Sequence, residues 1–232
     1  MKIKLIAEIG WNHMGDMNLA KEMISAAAEC GADIVKFQTW SESNLKPGPW
    51  DNDGRREIYK KAELSLDDHN ILKSECEKKG VAFLTSIFCI KDFELVKELG
   101  LKTIKVPSHE IYNHQLISEL NCHFEQILLS AGACTWEELK QAVSLVTAEK
   151  LVLMHCVSAY PCPAENVNLP KLERLKNLSS IIGYSGHFKG IDDAIAAICL
   201  DARYVEKHFT IDQNLPGRDN MNAILPEDLL QL

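Results

Sequence analysis

Short apolar, β-branched runs alternate with longer segments of helical period from one end of the chain to the other. The runs predict eight strands, at 3–9, 33–38, 81–88, 103–106, 126–131, 151–157, 180–185 and 204–210. Amphipathic patterning between them predicts helices over 18–30, 66–79, 92–99, 114–120, 136–147, 171–177 and 191–200, and an eighth opens at 226–232. Thr135 with Glu138, and Ser65 with Asp68, have the spacing of helix N-caps, while Gly31, Gly80 and Gly100 stand where helices should stop.

Strict strand–helix alternation implies a parallel sheet, because each parallel crossover needs a connection long enough to return over the sheet. Eight units predict an α/β fold, a closed (β/α)8 TIM barrel occupying 1–232 as one catalytic domain, with its last helix truncated. A doubly wound open sheet is the competitor. It usually carries a Gly-rich first turn, and Gly10-Trp11-Asn12-His13 is no G-x-G-x-x-G. The one long connection, 39–65, holds Trp40, Pro47, Gly48, Pro49 and Gly54, and a loop of that kind at the C-terminal end of a barrel strand is expected to cover the active site.

Composition narrows the partners. The chain has 232 residues, slightly short of the about 250 of a complete barrel. Its 25 Lys and Arg against 33 Asp and Glu, a formal charge of −8, disfavour nucleic acid or an anionic membrane as a general partner. An anionic substrate in a local basic pocket stays open. The eight cysteines contain no C-x-x-C pair, which fits reduced thiols in a cytoplasmic protein. No apolar stretch approaches the ~20 residues of a membrane helix.

In a barrel, active sites are built where strands end. The polar residues there are Glu8 on strand 1, Lys36 and Gln38 on strand 2, Ser86 on strand 3, Lys105 and Ser108 on strand 4, and Ser130 on strand 5. Strand 6 adds Ser158 and Tyr160, strand 7 Ser185 and His187, and strand 8 Glu206 and His208. Side chains two apart share a strand face, so Ser185 should point with His187 and Glu206 with His208. Buried lysines need a compensating anion, and ammonium groups with several hydroxyls suit a phosphate and a carboxylate. The plainer reading pairs each lysine with Glu8 or Glu206. His187 and His208 are placed to share one divalent cation. His69, His114, His123 and His155 read as structural, and neither the cysteines nor the four tryptophans form a pattern that asks for a function.

The segments AEIGWNHMGD (7–16), ADIVKFQ (32–38), KVPSHEI (105–111), LLSAGA (128–133), HCVSAYPCP (155–163), NVNLP (166–170), GYSGH (183–187), VEKHFTID (205–212) and LPGRD (215–219) resemble, in order, the sialic acid synthase family. Its bacterial members condense phosphoenolpyruvate with an N-acyl amino sugar. The resemblance implies a phosphoenolpyruvate site at Lys36, Ser86, Lys105, Ser108, Ser130, Ser158 and Ser185. It further implies Mn2+ or Mg2+ on His187 and His208, and a sugar site at Glu8, Tyr160, Glu206 and Asp219. Glu8, Glu206 and His208 would then be the catalytic residues. C3 of phosphoenolpyruvate would attack the aldehyde carbon of the open-chain sugar, water would add at C2, and the tetrahedral intermediate would expel phosphate.

The chain departs from the family pattern in three places. Gly186 stands where the family usually has Asp, and Asn220 where it has His, which bears on the acceptor sugar; Ser86-Ile87 replaces Thr-Pro. The family also continues into a small C-terminal antifreeze-like domain that closes the partner subunit's site in a homodimer, and 232 residues do not reach it. Two other readings stay open at this point: a Schiff-base lysine aldolase using Lys36 or Lys105, and a catalytically silent barrel that binds a sugar or phosphoenolpyruvate.

Overall fold

A computed structural model of the chain describes residues 2–45 and 47–232. Eight parallel strands close into a barrel in chain order: β1 Lys4–Gly10, β2 Ile34–Thr39, β3 Ala82–Ile87, β4 Thr103–Val106, β5 Gln126–Ser130, β6 Leu151–Cys156, β7 Ile182–Gly186 and β8 Tyr204–His208. Each lies within three residues of its expected bounds, because buried parallel strands are near-continuous apolar runs that turn residues punctuate.

The helices are α1 Met17–Glu29, α2 Arg55–Ala62, α3 Leu66–Lys78, α4 Phe93–Glu98, α5 His114–His123, α6 Trp136–Val143, α7 Lys171–Leu175, α8 Asp192–Cys199, α9 Arg218–Asn222 and α10 Pro226–Gln231. Both expected caps form. Ser65 and Asp68 exchange backbone bonds of 3.0 and 3.1 Å at the start of α3, and Thr135 and Glu138 do so at 2.7 and 3.3 Å before α6. Sequence periodicity misses α2 and α9, which lie in the loops after β2 and β8 and are too short to show a repeat.

The barrel interior is divided along its axis. Its lower part is plugged by Ile6, Leu84, Leu128, Val152, Met154 and Tyr204, a single apolar cluster. Outside the barrel, two larger clusters fill the space between strands and helices. The final helix, α10, closes the seam between β8 and β1 by burying Leu229 against the group that includes Met23, Ile24, Ala27 and Phe209. With the lower interior filled largely by hydrocarbon, the polar side chains described below gather at the C-terminal end.

Candidate active site

Strand register brings the polar residues into contact. Glu8 is the register partner of Lys36 on one side and of His208 on the other; Ser86 partners Lys105, and Ser185 partners Glu206. Residues far apart in the chain therefore become neighbours on the inner wall of a closed cylinder.

A cavity of about 190 Å³ opens above the apolar plug, lined among others by Glu8, Lys36, Ser86, Lys105, Ser108, Ser130, Ser158, Tyr160, Ser185, His187, Glu206 and His208. Of the site residues expected from sequence, these twelve line one cavity. Asp219 stands apart: it sits in α9 beside His208, with its Oδ2 3.8 Å from Nδ1, and does not form part of the cavity wall.

Both lysines are buried and both are paired. Lys36 Nζ lies 2.7 Å from Glu8 Oε2 and 3.7 Å from Glu206 Oε1, and donates to Ser86 Oγ at 2.8 Å. Lys105 Nζ lies 2.5 Å from Glu206 Oε1 and donates to Ser185 Oγ at 3.2 Å. Ser185 in turn donates to Glu206 Oε1 at 3.1 Å, and Gln38 donates to Glu8 Oε1 at 2.7 Å. The plainer pairing of lysine with glutamate is thus realised, inside the same cavity that gathers the hydroxyls.

The two carboxylates titrate in opposite directions. Burial pushes Glu206 up, but Lys105 and Lys36 outweigh it and hold the group at about 2. Burial also raises Glu8, and there it prevails over Lys36, with the negative charge of Glu206 adding to it. One carboxylate is therefore a fixed anion and the other is the easier to protonate, the division of labour that acid–base chemistry uses. Burial lowers Lys105, opposed by Glu206.

Several buried polar atoms around the cavity have no hydrogen-bond partner, namely Ser130 Oγ, Glu206 Oε2 and His208 Nδ1. Orphaned polar atoms are rare in folded proteins, so a cluster of them facing a cavity marks a place where a ligand completes the bonding. His187 donates from Nδ1 to the Val157 carbonyl at 2.6 Å, which leaves the Nε2 lone pair free. Burial, with His208 adding, holds His187 at about 3, so it is neutral at physiological pH. The two imidazole rings are 5.7 Å apart, and Tyr160 stacks on His187 at 3.9 Å. A divalent cation fits this pair as a two-imidazole site. Among the described residues no group of three His, Cys, Asp or Glu side chains completes the set, so water or substrate would supply the remaining ligands.

Loop backbones help shape the cavity. A Cβ on Gly132 would stand 2.6 Å from Ser108 Oγ, and the Gly132 amide donates to that oxygen at 3.1 Å, so only glycine lets the loop after β5 lie on the serine.

Two of the departures bear less on the acceptor than the sequence implies. A Cβ on Gly186 would point outward, 2.3 Å from Asp193 Oδ2. That carboxylate, delivered by α8, accepts from the Tyr184 hydroxyl at 2.8 Å and pairs at 3.1 Å with buried Lys207, which also donates to the Phe188 carbonyl at 2.7 Å. The space of a carboxylate at 186 is already filled by one from a helix. Asn220 is fully buried and bonds the Asn12 and Pro216 carbonyls and the Thr210 hydroxyl, which makes it a loop brace. The histidines read as structural behave so where they are buried: His155 bonds the Val167 carbonyl, and His69 bonds Thr39 and the Ser65 carbonyl.

The reading of the tryptophans needs correcting. Trp11 and Trp40 gather with Tyr59 and Phe88 into an aromatic cluster against the site, and Cys156 lines the cavity itself. Phe88 and His109 were also not singled out from sequence. These residues are spread over the C-terminal ends of β1, β2, β3, β4 and β6 and the loops that follow them, so no periodicity links them. The loop after β2 does cover this side of the site, through Trp40 and α2.

Fold and site together define a (β/α)8-barrel enzyme with a hydroxyl-rich pocket of paired lysines and glutamates at its C-terminal mouth. Residues 23–232 match the NeuB family. All of this chain aligns at 36% identity with 74% of the N,N'-diacetyllegionaminic acid synthase of Campylobacter jejuni. The pseudaminic acid synthase of Helicobacter pylori is 35% identical over 94% of this chain and 68% of its own. Among solved structures, the N-acetylneuraminic acid (sialic acid) synthetase of Leptospira borgpetersenii superposes with a TM-score of 0.92 at 33% identity, over all of this chain and 81% of that one. The chain belongs to the NeuB family.

Proposed function

We propose that this protein condenses phosphoenolpyruvate with an N-acyl amino sugar to form a nonulosonic acid and phosphate. The observation that carries the reading is the gathering of two buried ammonium groups, five serine hydroxyls and two imidazoles around one cavity. Lys36 and Lys105 supply the charge for the phosphate and carboxylate of phosphoenolpyruvate, and Ser86, Ser108, Ser130, Ser158 and Ser185 supply directed bonds. Ser130, unbonded in the free protein, gains its partner from the substrate.

His187 and His208 would hold Mn2+ or Mg2+, which supplies Lewis-acid polarisation of the acceptor's aldehyde oxygen. The barrel wall holds C3 of phosphoenolpyruvate against the aldehyde carbon, so that a bimolecular condensation proceeds in an effectively unimolecular geometry. The new carbon–carbon bond forms there, water adds at C2, and phosphate leaves. Glu8, the easier carboxylate to protonate, is suited to move the proton of the attacking water; Glu206 stays anionic and fixes both lysines. Tyr160 and Asp219 flank the imidazoles on the acceptor side. Eight free thiols, and the lack among the described residues of any helix long and apolar enough to cross a membrane, support a cytoplasmic setting.

The test is phosphate release from phosphoenolpyruvate in the presence of Mn2+ and a panel of N-acyl hexosamines including N-acetylmannosamine. Release that depends on both sugar and metal, and that is lost in His208→Ala, is the expected result. No release with any sugar would overturn the reading. Borohydride trapping with pyruvate should leave no adduct, since each lysine Nζ is already held against a buried carboxylate, Lys36 by Glu8 and Lys105 by Glu206, and is not presented to a carbonyl carbon.

A further inference from the structure

The ladder between β7 and β8 ends at the pair Gly186–Lys207, and His187 and His208 are the next residue on each side. Pairing of these two strands therefore does not hold one imidazole against the other. A side chain does so instead. Alternation along β8 turns Glu206 and His208 into the cavity and Lys207 outward, between Val205 and Phe209 of the apolar clusters around the barrel. Lys207 is only 3% exposed there, a costly place for an ammonium group. Its three donors are all used: Asp193 Oδ1 and Oδ2 each accept at 3.1 Å, and the Phe188 carbonyl accepts at 2.7 Å. Asp193, in the first turn of α8, is steadied in turn by the Tyr184 hydroxyl at 2.8 Å.

We infer that Lys207 and Asp193 are positioning residues for the metal: from outside the barrel they set the spacing of His187 and His208 inside it. The inference rests on the synthase reading above, which puts a cation on these two imidazoles. Lys207 belongs to the strand that carries His208, and the carbonyl it grips follows His187 directly, so one side chain ties the two histidine-bearing segments where their ladder stops. The loop after β6 fixes His187 from the other side. The Val157 carbonyl accepts from His187 Nδ1 at 2.6 Å, and the His187 carbonyl accepts from the Cys162 amide at 2.8 Å. Two imidazoles share one cation only with both nitrogens about 2 Å from it, so a slip of the loop by a few tenths of an ångström weakens both bonds together. Stability alone does not account for charges here, since a well-packed apolar pair commonly fills such a space at no loss.

Equilibrium dialysis of Mn2+ alone against the full chain tests this. Lys207→Met should weaken Mn2+ binding at least tenfold, the scale on which the outer partners of metal ligands act. The decisive variant joins Lys207→Met to Asp193→Leu, so that no charge is stranded. Its melting temperature should stay within about 4 °C of wild type while Mn2+ binding remains at least tenfold weaker. Phosphoenolpyruvate binding without metal should hold within about twofold, because Lys36, Lys105 and the serines are untouched. A smaller loss of Mn2+ affinity in the folded apolar pair overturns the inference and leaves the synthase reading intact. Should the apolar pair fail to fold, the exchange of Gly186→Asp with Asp193→Gly decides, because it offers Lys207 a carboxylate from β7. It should bind Mn2+ at least about fivefold more tightly than Asp193→Gly alone, and no gain overturns the inference. If the wild-type chain binds no Mn2+, the metal assignment of the synthase reading fails, and nuclear Overhauser contacts in the metal-free chain decide on positioning. A contact between the His187 and His208 rings, whose centroids are 5.7 Å apart, that is at least halved in the apolar pair or in Asp193→Gly supports it; an equal or absent contact refutes it.

Discussion

Replacing Lys105 with Met removes one member of a buried charge network and leaves its partner in place. The two side chains are 4% and 5% exposed, with Nζ and Oε1 2.5 Å apart, and the next cation, Lys36, is 3.7 Å from the same oxygen. At an effective dielectric of ~20 these separations correspond to attractions of about 6.6 and about 4.5 kcal/mol before desolvation is charged against them. Stripping a buried carboxylate of its partner costs about 3–5 kcal/mol, and because Lys36 remains, Lys105→Met should fall at the low end, about 3 kcal/mol. Urea unfolding followed by circular dichroism should show the midpoint about 1 M lower, for a slope of about 3 kcal/mol per M. Adding Glu206→Leu removes the stranded charge, while Lys36 keeps Glu8 at 2.7 Å, so the double variant should recover about 2 kcal/mol. A loss below about 1 kcal/mol in the single variant, or a double variant no more stable than the single, would refute the view that these charges are held in a water-poor interior.

Equilibrium dialysis should find one Mn2+ per chain, with affinity reduced at least tenfold in His187→Ala and in His208→Ala; undiminished binding in both would place the metal elsewhere. Burial depresses His13 to about 4 and His187 to about 3, and lowers His69 and His155, so the unfolded chain takes up protons near pH 6.5 that the folded chain refuses. Stability is therefore full above pH 6.5 and falls by up to about 1.4 kcal/mol per histidine for each unit below it, and a melting temperature unchanged from pH 7.5 to 5.5 would contradict this. Gly186→Asp should destabilise by at least about 2 kcal/mol through its clash with Asp193, and the exchange Gly186→Asp with Asp193→Gly should restore much of the loss by returning one carboxylate to Lys207 and Tyr184. Equal melting points for the single and the exchanged variants would show that the two positions do not share this space.

The barrel was legible because its strands are buried on both faces and read as apolar runs, and because side chains two apart share a strand face. That rule alone placed Ser185 with His187 and Glu206 with His208 around one cavity. What it could not supply was lateral order. The contact of Lys105 with Glu206 crosses the barrel interior and joins residues 101 apart in the chain, so it follows from closure and not from any local pattern. The outward direction of Gly186 and the bracing role of Asn220 were equally hidden, since each depends on what a neighbouring helix or loop presents. The aromatic cluster was the least legible feature. Trp11 follows β1 and Phe88 follows β3, while Trp40 and Tyr59 stand 19 residues apart on the loop after β2, and only the folded loops show that they share a wall.

The pairing of both lysines has a consequence for how the pocket chooses its anion. The free protein carries its own counter-ions, so a guest cannot simply fall into a positive hole; it must share both ammonium groups with carboxylates already seated at 2.5 and 2.7 Å. Chloride, or a lone phosphate with a single anchoring end, offers too little for that. A molecule with a phosphate at one end and a carboxylate at the other can engage two ammonium groups at once and reach the hydroxyl of Ser130 besides. In the proposed synthase the barrel would filter anions by competition, its own glutamates setting the standard that a substrate has to meet.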